Sequence, residues 1–126
     1  MIVFFIMPKS NVLFIGLGRL GYQMSSHLSK IEKKNLFIHN RTKKKFKSWS
    51  RNNTANFFDH DSNIKIDYVI TCVKDDKAVN DILTDERLLK NLHKKTIIID
   101  HSTISIPQVK KLNKYGIFSK NKFENT

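Results

Sequence analysis

The stretch that decides the fold is Asn11–Gly21, which reads NVLFIGLGRLG. Asn11–Ile15 is a short apolar run without alternation, the pattern of a strand buried on both faces. It runs straight into Gly16-Leu17-Gly18-Arg19-Leu20-Gly21, a G-x-G-x-x-G. The whole chain has 4 glycines, and three of them stand in this window. Beyond it, Leu20, Met24, Leu28 and Ile31 recur at helical spacing and predict a helix over Leu20 to Ile31 with that line facing inward. Strand, glycine loop and amphipathic helix in this order are the context in which the pattern binds a dinucleotide. Gly16 permits the tight turn, Gly18 lets the backbone approach a pyrophosphate, and Gly21 lets the helix pack closely. The helix start offers free N–H groups and a positive dipole end to the phosphates. The competing reading is a tight strand-to-helix turn that holds nothing.

Working outward, Asn35–His39 (NLFIH) reads as a second strand, with Thr42 as N-cap of a helix through Lys43–Arg51 that turns Phe46 and Trp49 inward. Residues 52–66 are polar, with a short edge strand near Ala55–Phe58. Asp67–Val73 (DYVITCV) is the next strong strand, and Cys72 reads as a small buried residue within it. Asp75 or Asp76 opens a helix carrying Ala78, Val79, Ile82 and Leu83, and Glu86–His93 adds a further helical turn or two. Thr96–Ile99, ending at Asp100, is a buried strand, and Ser105 caps a helix through Asn113 with Pro107 in its first turn. Strands alternating with helices imply a doubly wound parallel sheet of Rossmann type in a single domain. Such sheets bind ligands at the carboxyl ends of their strands. Functional residues are therefore expected just after Ile15, Ile38, Val73 and Ile99.

The second strand end reads His39-Asn40-Arg41-Thr42-Lys43. NAD-preferring sites place an Asp or Glu roughly 20 residues past the fingerprint, and no acid stands here. Asn40 can hydrogen-bond a ribose or phosphate oxygen, Arg41 can fork onto a 2′-phosphate, and Thr42 adds a hydroxyl at a helix start. Lys44 and Lys45 read as part of a general lysine excess.

That excess is large. Lys+Arg number 23 against 11 Asp+Glu, a net charge of +12 over 126 residues. Lysines run from Lys9 to Lys122 without concentrating on one segment. Nucleic-acid readers favour arginine forks on one face, so a nucleic-acid partner is not expected. With 40% hydrophobic residues and 9 Phe the chain is no disordered polycation. One cysteine excludes an intrachain disulfide and a cysteine-based zinc cluster, and a reducing, cytoplasmic location is expected. The longest apolar run, Ile2 to Met7, is far short of the roughly 20 residues of a membrane span. His27, His39, His60, His93 and His101 show no metal-ligand spacing, and no metal is expected. Residues 1–8 read as an N-terminal extension or an over-called start, with Met7 a second possible first residue. Residues 9–118 read as the dinucleotide-binding domain and 119–126 as a polar tail.

Four ordered segments together resemble the β-hydroxyacid dehydrogenases, the group that includes 3-hydroxyisobutyrate dehydrogenase and, more distantly, 6-phosphogluconate dehydrogenase. They are Ile15–Leu28 (IGLGRLGYQMSSHL), Asn40-Arg41-Thr42, Val73–Leu83 (VKDDKAVNDIL) and Asp100–Ser105 (DHSTIS). The resemblance implies hydride exchange between NADP(H), less so NAD(H), and a small hydroxy acid or its oxo form. It implies that Gly16, Leu17, Gly18, Arg19, Leu20 and Gly21 hold the pyrophosphate, and that Asn40, Arg41 and Thr42 hold the phosphorylated ribose. Val73 and Lys74 would lie along the cofactor, Thr103 would contact its nicotinamide end, and Ser102 would hold the substrate. Lys74 departs from the family's proline, and Pro107 comes one residue late. The family's catalytic lysine and its all-helical second domain have no counterpart in these residues, so none is assigned a catalytic role. The expectation is an NADP-binding domain inactive alone, with exposed apolar surface available for oligomers. The alternative is a non-catalytic NADPH-binding regulatory or partner module.

Overall fold

The computed structural model describes residues 9–31, 35–59 and 61–102, together with the backbone of 122–125. Among the described residues, six strands and four helices follow one another as β1 (Asn11–Ile15), α1 (Arg19–Ser29), β2 (Asn35–His39), α2 (Lys43–Trp49), β3 (Asn56–Phe57), β4 (Ile66–Thr71), α3 (Asp76–Leu83), α4 (Glu86–Leu89), β5 (Leu92–Asp100) and β6 (Lys122–Asn125). They form one sheet in the order β3-β2-β1-β4-β5-β6, with every pairing parallel. The chain starts in the middle, winds outward to β3, then returns to β4 and winds the other way. That reversal makes the gap between β1 and β4 a topological switch point.

The strands β1 and β4 are buried on both faces because each face carries its own core. Val12 and Phe14 join Leu28, Leu36, Ile38 and Trp49 on the side of α1 and α2. Leu13 and Ile15 join Val69, Val79, Leu83 and Ile98 on the side of α3 and α4. Trp49 is fully buried, its ring 5.9 Å from that of Phe46. The inward placement of both aromatics follows the expected helix face.

Four details differ from the sequence expectation, the first being that β4 spans Ile66–Thr71 and ends two residues before the expected Val73. The inward face of α1 is Gly21, Ser25 and Leu28, while Leu20 and Ile31 are 54% and 37% exposed. The cause is the close approach that Gly21 allows, which seats the helix on its small residues. Ser25 donates its hydroxyl to the Gly21 carbonyl at 2.7 Å instead of leaving it unpaired. The strand β5 begins four residues earlier than Thr96, because Leu92 already pairs with Ile66. A register irregularity between Ile66 and Tyr68 then absorbs the polar insertion, where Thr96 donates to the Ile66 carbonyl and accepts from the His93 N–H. Finally, Lys122–Asn125 pairs in parallel with β5, from Ile97 to Asp100, in a segment whose polar sequence signals no strand. The helix expected over Ser105 to Asn113 lies outside the described residues.

Candidate cofactor-binding site

The central strands end at one level. Ile15 is in register with His39 on one side and Thr71 on the other, and Thr71 with Asp100. The loops leaving these ends enclose a cleft of about 640 Å³. All six residues from Gly16 to Gly21 line it, as do Asn40, Arg41, Val73, Lys74 and Ser102. Thr42 is not among the lining residues; it stands at the N-cap of α2, where its side chain makes no capping bond. Thr103 lies outside the described residues.

The glycine loop turns back on the sheet. Gly16 has φ +111°, a left-handed conformation that disfavours any side chain. A Cβ there would run into the Cys72 carbonyl, and one on Gly21 would run into the Gly16 carbonyl oxygen. The loop is pinned by the Gly16 N–H to the His39 carbonyl at 3.0 Å and by the Cys72 N–H to the Ile15 carbonyl at 2.9 Å. Gly18 is different: a Cβ built on it meets nothing within 4 Å. Its missing side chain leaves open a space in the cleft over the start of α1, where the first-turn N–H groups have no intrahelical partner.

Asn40 turns towards the loop. Its Oδ1 accepts the Leu17 N–H at 2.9 Å, and its Nδ2 donates to the Thr42 carbonyl at 3.0 Å. The side chain therefore ties the glycine loop to the loop after β2, which leaves one amide N–H for a ligand.

Among the described residues, free cations and ion pairs are distributed differently around the cleft. Arg19, Arg41 and Lys45 line one side. The other side is built by α3 and the turn to α4 and carries Ala78, Asp81, Ile82, Asp85 and Arg87. There Asp81 pairs with Lys77 at 2.7 Å and Asp85 with Arg87 at 2.9 Å. The hydrogen bond that Lys77 donates to Asp81 raises the Lys77 ammonium above its ordinary value, against smaller opposing effects of desolvation and of Arg41. Asp75 caps α3 through the Ala78 N–H at 2.9 Å, the structural role expected of it.

This second wall is what sequence reasoning missed. Its signal was present in the i,i+4 pair Ala78 and Ile82, one face of a helix that begins at a strand's carboxyl end. Lys45 also lines the cleft, although the sequence reads it as background lysine. Cys72 stands just past β4, half-buried in the cleft wall, so it is not an interior strand residue. Burial pushes its thiol up, with the Asp100 carboxylate adding to the effect. His101 also lines the cleft, and burial lowers its imidazole while Asp100 opposes that shift. No cluster of three or more His, Cys, Asp or Glu side chains among the described residues could hold a metal ion.

A doubly wound parallel sheet with a glycine-rich loop at its switch point has the architecture of a dinucleotide-binding domain of Rossmann type. Residues 11–122 match the model of one family, the NAD binding domain of 6-phosphogluconate dehydrogenase, and the chain belongs to that family. An oxidoreductase of Shewanella frigidimarina, described as uncharacterized, is 29% identical over 109 residues, covering 84% of this chain and 37% of that protein. Among solved structures, Mycobacterium tuberculosis 3-hydroxyisobutyrate dehydrogenase with L-serine superposes with TM-score 0.74 at 21% identity, covering 93% of this chain and 40% of that one. An imine reductase from Myxococcus stipitatus in complex with NADP+ superposes with TM-score 0.72 at 17% identity, covering 90% and 39%. The chain thus spans about 40% of the length of such proteins. No helix among the described residues is long and apolar enough to cross a membrane.

Proposed function

We propose that this chain is the NADP(H)-binding domain of a cytoplasmic oxidoreductase acting on a small hydroxy acid or its oxo form. The observation that carries the cofactor preference is the position of Arg41 and Lys45 in the cleft, beside a strand end with no acid. An NAD-type site needs a carboxylate there to accept from the ribose hydroxyls. Two cations instead suit a 2′-phosphate, which gains charge-assisted bonds. In this reading Gly18 leaves room for the pyrophosphate, and the first turn of α1 donates to it. Asn40 keeps the two phosphate-holding loops in register. Ser102 and the Val73-Lys74 segment would line the nicotinamide side, where the bound cofactor supplies or takes a hydride. The proton acceptor and the cover that excludes water would come from a helical domain beyond these residues, and substrate selection with them. Nothing in the scattered charge favours a nucleic-acid partner over this small-molecule one.

Calorimetric titration of the purified chain with NADPH and NADH tests the preference. NADPH should bind more tightly, and Arg41→Ala should weaken it by about tenfold, the worth of an exposed charge-assisted hydrogen bond. NADH should be nearly unaffected. Equal loss for both cofactors would refute the assignment of Arg41 to a phosphate.

A further inference from the structure

Behind the cleft wall a carboxylate is closed off from solvent. Asp100 ends β5 with 0% exposure. Its Oδ1 accepts the Thr71 hydroxyl at 2.7 Å and the Ser102 N–H at 3.0 Å. The Ser102 hydroxyl oxygen in turn accepts the Val73 N–H at 2.8 Å, and the His101 N–H donates to the Thr71 carbonyl at 2.8 Å. These bonds lock the loop after β4 to the loop after β5. Val73, Lys74, His101 and Ser102 line the cleft, whereas Thr71 and Asp100 stand behind it.

A buried carboxylate is a costly way to join two strands. An apolar pair of similar volume fills the same space without the desolvation penalty, so stability gives little reason for it. What the carboxylate adds is direction. It orients the Ser102 backbone so that the hydroxyl reaches across to Val73, and the two loop ends then present one fixed surface. In a Rossmann cleft the adenosine half lies on the β2 side and the nicotinamide half on the β4–β5 side. This surface is on the second side, and Arg41 is on the first.

We propose that Asp100 is a positioning residue that, through Thr71 and Ser102, fixes the wall against which the nicotinamide half of the dinucleotide lies. The inference rests on the dinucleotide reading above, but the wall itself can be probed without any cofactor.

The test uses Asp100→Ala, Asp100→Asn and Thr71→Val in the full chain, titrated with NADPH and with adenosine 2′,5′-bisphosphate, which lacks the nicotinamide half. Asp100→Ala is expected to weaken NADPH by about tenfold or more while leaving the bisphosphate within about twofold. Asp100→Asn keeps an acceptor oxygen and should recover most of the NADPH affinity. Thr71→Val, which removes one hydroxyl outside the cleft, should weaken NADPH by about threefold with the bisphosphate again unchanged. If Asp100→Ala does not fold, Thr71→Val decides. Equal loss of both ligands, or no loss of NADPH, overturns the proposal.

A second readout is the alkylation of Cys72 by iodoacetamide, since it is the chain's 1 cysteine and borders the locked wall. Thr71→Val keeps the carboxylate charge but loosens the lock, so Cys72 should react several-fold faster. An unchanged rate overturns the proposal. If the unsubstituted chain binds neither ligand, the dinucleotide reading fails, and the alkylation rate still decides the role of Asp100.

Discussion

Gly18 and Gly21 lie three residues apart in one loop, yet substituting them should produce opposite phenotypes. A Cβ on Gly21 would land on the Gly16 carbonyl oxygen, 3.0 Å from the Gly16 carbonyl carbon and 3.5 Å from the Cys72 Cβ. The nearest of these neighbours are backbone in a loop pinned to β2 and β4, so they cannot swing aside. Overpacking of this kind reaches about 3 kcal/mol. Alanine returns about 1 kcal/mol through its better helix propensity. The net loss for Gly21→Ala is about 2 kcal/mol, a fall in Tm of about 6–10 °C for a domain of this size. Gly18 has φ −69° and ψ −171°, extended backbone open to any residue, and open space where a Cβ would go. Gly18→Val loses up to about 1 kcal/mol of N-cap preference. It regains about 0.4–1 kcal/mol by restricting the unfolded chain. Its Tm should therefore stay within about 4 °C of the parent. Its isopropyl group, however, fills the space over the α1 N–H groups. Losing two hydrogen bonds to a charged phosphate, at about 1.5–3 kcal/mol each, weakens dinucleotide binding at least about a hundredfold. Thermal melts and NADPH fluorescence titration of the two variants are the assay. Normal NADPH binding by Gly18→Val would show that the glycine loop is only a turn. An unshifted Tm for Gly21→Ala would refute the packing argument.

Two further outcomes follow from the same cleft. Burial holds His101 below its ordinary value of 6.5, so the folded chain resists a proton that the unfolded chain accepts. The stability tied to the neutral ring is present above about pH 6.5 and is lost as pH falls through the lower folded value. His101→Asn should accordingly lose less Tm than the parent chain between about pH 7.5 and about pH 5.5; equal losses would show that the imidazole is not the titrating group. The purified chain should also oxidise no measurable NADPH with a panel of small oxo acids, because the described residues leave the cleft open to water and proton transfer needs a closed, dry site. Clear turnover would show that this chain carries its own acid–base group.

The order of elements was legible because each central strand carries a run of apolar residues and each helix after it has an apolar face. Asn11–Ile15 and Asn35–His39 are bounded as their composition indicates. The glycine loop was legible because glycine is otherwise almost absent. What escaped the sequence depends on contacts between distant segments. Leu20 and Ile31 fit an apolar helical line, but Gly21 turns that line by docking the helix on the Gly16 carbonyl. Asn40 has the chemistry of a ribose ligand, and only the fold shows its amide held by Leu17 and Thr42. Asp81, Asp85 and Arg87 read as ordinary helix-surface charges until α3 and α4 place them across the cleft from Arg41. The pairing of Lys122–Asn125 with β5 has no apolar signature, so no periodicity could reveal it.

The shortness of β3 also matters for self-association. It pairs only Asn56 and Phe57 with Phe37 and Ile38 of β2, so it presents two residues of open ladder to any incoming strand. Lys43 stands over the Phe57 ring at 5.1 Å from its centroid, which places a cation on that margin. Brief, charged margins are poor templates for intermolecular β-pairing. The β3 side of the sheet is thereby guarded against the edge-to-edge stacking that leads parallel sheets into aggregates.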